Sequence, residues 1–172
     1  MNWQKLTSLE GRTSRLPYWL ASLVIMLFSL CSYIVLSLVF DLPLLPQYRY
    51  ETADALVAHK QSQGILSLVN FLVIAYPSFA VMAKRLQDRG KSWIWNVLYL
   101  GPSVAFSVLS ALNLATIPRH SLNGNFVGFP TLLGGLTLIA LFIIGLVSII
   151  DLGFLRGTPG PNRFGPDPLA EK

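Results

Sequence analysis
Charge is scarce in this sequence. Of 172 residues only 12% are Asp, Glu, Lys or Arg, against 53% apolar. A soluble domain carries about 25% charged residues, so a water-solvated fold is a poor match, and a mean hydropathy of +0.56 points to lipid as the solvent. Cysteine is almost absent: Cys31 stands alone inside an apolar run, which excludes an internal disulfide and any cysteine-based metal site. The bulky Leu30 before it opposes lipoprotein cleavage. Histidine occurs twice, as His59 and His120, and Asp88 is the single acid of the middle loop. No Ser-His-Asp or paired-carboxylate set follows, so no enzyme, cofactor or metal is expected. "DRGKS" (Asp88 to Ser92) lacks the upstream glycine of a phosphate loop. The net charge of +5 is broken into short pieces rather than a continuous basic face, which argues against nucleic acid.

What the chain has in quantity is long apolar segments. Four, at residues 18–40, 65–83, 93–117 and 129–150, contain no Asp, Glu, Lys, Arg or His. Lipid leaves no partner for a free backbone amide, so each is predicted to be a helix. The first has 23 residues, too long for the apolar region of a signal peptide. The expected fold class is an all-α membrane protein with four transmembrane helices. Ten of the 13 lysines and arginines fall in the N-terminal segment, the loop between spans two and three, and the tail at 151–172. The positive-inside rule then places both termini in the cytoplasm. Tyr18, Trp19, Trp93 and Trp95 fit an interfacial belt on that face.

Finer features are also predicted. The outer loop 41–64 reads as an extended "LPLLP" entry, then a short surface helix capped by Thr52, favoured by Asp54 and Lys60, and ended by Gly64. Pro77 and Pro102 are expected to kink their spans, and Gly134, Gly135 and Gly145 to mark close helix contacts.

Three patches lie on the expected cytoplasmic face: Gly11 to Trp19, Lys84 to Trp95, and the tail. The tail "GTPGPNRFGPDP" has too many prolines for a helix, and Gly157, Gly160 and Gly165 suit turns of positive φ. It is predicted to fold back on the helix ends, anchored by Phe164, with Asn162 or Asp167 satisfying local backbone donors. Together the patches resemble the domain of unknown function 805 family, a group of small bacterial inner-membrane proteins. The resemblance rests on Gly11, Arg12, Ser14, Arg15 and Trp19, on Arg85, Leu86, Asp88 and Gly90 to Trp93, and on Gly157 to Pro168. It implies a multi-pass inner-membrane protein and no established activity. Gln87 stands where members often have histidine, and Pro17 where they often have a carboxylate.

The residues themselves offer two readings. Arg12, Arg15, Arg85, Arg89, Lys91 and Arg163 approach one interface, with Asp88 and Asp167 as counter-ions and Asn162 beside them. Either ion pairs and phosphate contacts pin the helix ends under a tail lid, or the cations receive an anionic headgroup, a nucleotide or an acidic partner. The expected function is a non-enzymatic membrane module binding a lipid headgroup or a protein partner there. Membrane lipids, a membrane-protein partner or a second copy are its expected company. The alternative is a small transporter or channel subunit. It has only groups such as Asn70 and Tyr76 to offer, without buried ionisable residues.

Overall fold
The structure is a computed structural model that describes residues 9–42 and 49–170. Helix α1 spans Arg15–Val39, about 37 Å at 1.5 Å per residue. Pro17 sits in its first turn, where the missing N–H has no partner to lose. The helix closes at Asp41, whose φ of 51° turns the chain left-handed. Leu42 then donates to the Ser37 carbonyl, and the Ser37 hydroxyl donates to the Leu42 carbonyl, both at 2.8 Å.

Helix α2, Ala53–Asp88, has 36 residues and joins what the sequence divided into a surface helix and span two. The Thr52 hydroxyl caps it through the Ala55 N–H at 3.2 Å, as expected. Gly64 does not end it. It sits where a Cβ would overlap the backbone of Ser110 and Ala111, so its smallness serves packing. The predicted "LPLLP" entry, beyond its first residue Leu42, lies outside the described residues.

Helix α3, Trp95–Ala111, has 17 residues and runs through Gly101-Pro102. It is shorter than the predicted span 93–117. Asn113 takes a left-handed φ of 57°, and Leu114 and Ala115 both donate to the Leu109 carbonyl, at 2.7 and 3.2 Å. The chain then leaves the helix for an antiparallel hairpin, β1 (Thr116–His120) and β2 (Phe126–Pro130), registered from Thr116↔Pro130 to His120↔Phe126. Tyr50 adds one more bridge to Phe126. The hairpin corrects the all-α expectation and removes Phe129 and Pro130 from the fourth span. Its causes are local: β-branched Thr116, Ile117 and Val127 favour extended chain, and Gly124 at φ 79° makes the turn.

Helix α4, Leu132–Ser148, continues as a π-helical segment, Ile149–Phe154. Thr131 caps α4, accepting the Gly134 N–H at 3.0 Å. A Cβ on Gly134 would overlap the Ala115 carbonyl, whereas Gly135 and Gly145 have nothing within 4 Å. Only the first of the three predicted contact glycines therefore packs closely.

The chain is mostly helical. Among the described residues three helical stretches are long and apolar enough to cross a membrane: Arg15–Val39, Ala53–Asp88 and Leu132–Phe154. They leave residues such as Leu23, Leu72 and Phe142 exposed, as side chains solvated by lipid would be. Two compact units are present. Of the described residues, the first gathers those within 9–28, 74–101 and 143–170 around Leu86, Tyr99 and Leu152. The second gathers those within 29–42, 49–73 and 102–142. In it the Asn70 amide donates to Ser29 at 3.0 Å and its oxygen accepts from Ser32.

Candidate functional site
The candidate site lies wholly in the first unit. It begins with a helix-end problem. The last carbonyls of a helix have no partner within it, and here they belong to the π-helical segment. Side chains from elsewhere in the unit satisfy them one by one. Arg89 donates to the Asp151 carbonyl at 2.9 Å, Arg85 to Leu152 at 2.6 Å, the Trp19 indole to Gly153 at 3.2 Å, Arg15 to Phe154 at 3.3 Å, and Arg85 again to Leu155 at 2.6 Å. Four of these five bonds come from guanidinium groups, which also suit the negative end of the helix dipole.

Arg85 is fully buried. A buried charge costs several kcal/mol unless it is paired and its remaining donors are bonded. Asp88, one turn on, receives Arg85 at 2.5 Å on one oxygen and Arg12 Nε at 3.1 Å on the other. Arg12 spends its other nitrogens on the tail, donating to the carbonyls of Thr158 at 2.5 Å and Gly160 at 2.6 Å, with Asp167 4.0 Å away. One carboxylate thus joins the N-terminal segment, the end of α2 and the tail.

A second carboxylate, Asp151, does the same nearby. Its two oxygens take Arg89 at 3.1 Å, Lys91 at 2.8 Å and the Tyr99 hydroxyl at 2.7 Å. Lys91 also stands 5.1 Å from the Trp95 ring centre. Sequence reasoning counted Asp151 into the tail and gave it no role. The available signal was a lone carboxylate directly after a charge-free run, close to a surplus of cations.

The tail is held mainly through backbone. Thr158 donates to the Asp88 carbonyl twice, from its N–H at 2.8 Å and its hydroxyl at 3.0 Å. Gly157 permits this approach, because a Cβ there would overlap the Asp88 carboxylate. Its φ is not positive, whereas Gly160 and Gly165 do take the predicted left-handed region at 71° and 135°. Asn162 is the anchor rather than Phe164. Its amide donates to the Gln87 carbonyl at 3.0 Å and its oxygen accepts the Phe164 N–H at 2.9 Å. Phe164 is half-buried beneath the Arg163 guanidinium, which donates to the Gly90 carbonyl at 3.3 Å. Gln87 donates to the Leu9 carbonyl at 3.0 Å.

Asp167 accepts the N–H groups of Leu169 and Gly160, each at 3.0 Å. Those two bonds hold its carboxyl below the usual carboxylate range, with Arg12 and Arg156 adding to the effect. A carboxyl whose value is lowered on folding supports the fold above its ordinary value, about 3.9, and loses that support as acid protonates it. The amide signals of Leu169 and Gly160 are therefore expected to titrate together with a midpoint below about 3.9. A midpoint at or above it would show that Asp167 does not hold the tail loop.

All nine residues singled out from sequence (Arg12, Arg15, Arg85, Asp88, Arg89, Lys91, Asn162, Arg163 and Asp167) thus lie in this unit, and most serve internal bonds. A crevice of about 20 Å³ remains, lined by Arg12, Ser14, Arg15, Arg85, Asp88 and Arg156 among others. That is room for about one water. Among the described residues no group of three or more His, Cys, Asp or Glu is placed to hold a metal ion.

Comparison with known proteins matches this sequence to one family. The chain is similar to inner membrane protein YhaH of Escherichia coli (strain K12), 26% identical over 164 residues that cover 94% of this chain and 88% of that protein. It is also similar to uncharacterized protein YiiR of the same organism, 36% identical over 96 residues, 55% of this chain and 54% of that one. No solved structure matches. The family model described as "Protein of unknown function (DUF805)" matches residues 6–166. That stretch holds both carboxylate clusters and the tail as far as Pro166, and the chain belongs to this family.

Proposed function
We propose that the protein crosses the bacterial inner membrane four times with both ends in the cytoplasm. On this reading the face built at its helix ends binds an anionic lipid headgroup. The topology draws support from the first unit alone. There the start of α1, the end of α2 and the end of the π-helical segment meet through Arg85, which bonds the carbonyls of Thr13, Leu152 and Leu155. A chain that starts and ends at one face and returns to it after α2 makes an even number of crossings in each half. Helix α3, at 17 residues, reaches about 25 Å and serves as the remaining crossing. The excess of Lys and Arg in these segments makes that face cytoplasmic. Cysteines placed at Leu122 and Arg163 should label with an impermeant thiol reagent from opposite sides of the membrane; labelling from one side would refute the topology.

One observation carries the binding function. Each buried carboxylate meets two cations: Asp88 holds Arg12 and Arg85, and Asp151 holds Arg89 and Lys91. Positive charge is left over at a face that also exposes Arg15, Arg156 and Arg163. Juxtamembrane cations attract anionic headgroups by about 1 kcal/mol each. Native mass spectrometry in mild detergent is the test. The intact protein is expected to retain anionic phospholipid, and a version ending at Arg156 to lose it. Equal retention, or none in either, would remove the proposal. A retained protein without lipid would transfer the face to a protein partner. The Asn70 side chain, engaged by Ser29 and Ser32, is better explained by helix pairing than by a transport path.

A further inference from the structure
Many charged donors of the first unit are used internally, and several that are not line one crevice. Arg12 and Arg85 have acceptors for all their nitrogens. Three residues lining the same crevice do not. The Ser14 hydroxyl and the Arg156 guanidinium bond nothing among the described residues, and Arg15 commits one nitrogen, to the Phe154 carbonyl. From these leftover donors we infer that Ser14, Arg15 and Arg156 form the seat for the phosphate group of an anionic phospholipid. This rests on the proposed headgroup-binding role and gives it an address.

Size and polarity select the ligand class. At about 20 Å³ the crevice admits one oxygen-sized group, so a sugar or base cannot enter and the phosphate stands at the rim. Two guanidiniums and a hydroxyl offer planar and single donors to its remaining oxygens, a geometry that favours phosphate. Leu169 lines the same crevice and is 46% exposed. It gives an apolar edge to a molecule that continues into hydrocarbon, which free phosphate does not. Trp19, next to the Arg15 side of the seat through its bond to Gly153, is a side chain suited to headgroup depth. Arg12, Arg85 and Asp88 line the same crevice, but their nitrogens and oxygens are committed to internal bonds.

The test is titration of phosphatidylglycerol onto the full-length protein in detergent, read by native mass spectrometry, with phosphatidylcholine as the reference lipid. Arg15→Gln and Arg156→Gln are each expected to weaken phosphatidylglycerol about fivefold and the pair about thirtyfold. Ser14→Ala should weaken it less, and Arg119→Gln in the hairpin not at all. Among the described residues Arg156 makes no hydrogen bond and only adds, after Arg12, to the charge felt by Asp167, whose two backbone bonds remain, so its variant should fold normally and keep the test open if Arg15→Gln does not. Retention by the wild type that is unchanged in Arg156→Gln and in the double variant would overturn the seat and leave the headgroup reading standing. No retention by the wild type would overturn both. Displacement of the lipid by an equal concentration of inorganic phosphate would overturn the assignment to phospholipid.

Discussion

Asp88→Asn is expected to lower the unfolding free energy by about 3–5 kcal/mol, measured by titrating the purified protein with a denaturing detergent. The substitution preserves shape almost completely. It removes the charge that two buried guanidiniums share, and it turns one acceptor oxygen into a donor. Asp88 is 2% exposed, so water cannot replace what is lost. Arg12 and Arg85 would then repel each other across a neutral amide. Arg12 also holds the tail through Thr158 and Gly160, so the segment after Arg156 should become sensitive to protease at the same time. A loss below about 1 kcal/mol would show instead that backbone carbonyls alone suffice to hold both arginines.

Gly64→Ala is expected to destabilise by about 1–3 kcal/mol, against the ordinary preference of a helix for alanine, worth about 1 kcal/mol in the other direction. The new methyl group would overlap the backbone at Ser110 and Ala111. A backbone cannot rotate away as a side chain can, so α2 and α3 would have to separate. Gly101→Ala is the control, since nothing lies within 4 Å of that position, and it should be neutral or stabilising. Opposite signs for the two glycines in the same assay are the expected result. The same sign for both would mean that α2 and α3 are not in backbone contact at Gly64.

These two residues also show how far the sequence could be read. The apolar runs, the Thr52 cap and the cationic patches were legible because each is a local property of composition or spacing. Gly64 was not, because a glycine that ends a helix and one that admits a neighbouring helix look alike in one dimension. The hairpin was hidden because hydropathy has no sense of period: Thr116, Ile117, Phe129 and Pro130 were absorbed into spans, although Asn123-Gly124 is a turn signal between them. In the site, the cations were legible and their engagements were not. Arg12 and Asp88 are 76 residues apart, and the acceptors for Arg85 are backbone carbonyls, which every residue has. The role of Asp151 is hidden in one dimension, because an acid at the end of an apolar run reads as the first residue of the tail.

The carbonyls that receive Arg85 have a bearing on how the chain is made. Translation delivers Arg85 67 residues before Leu152, a delay of roughly 3–13 s at about 5–20 residues per second. During that interval the end of α2 carries its cations without the acceptors that will hold them. Arg12 waits longer, since Thr158 follows it by 146 residues. Assembly of this face therefore cannot be completed span by span. It closes only after Leu152 and Thr158 have emerged, and a nascent chain that stops before them lacks the carbonyls that hold Arg85 and Arg12.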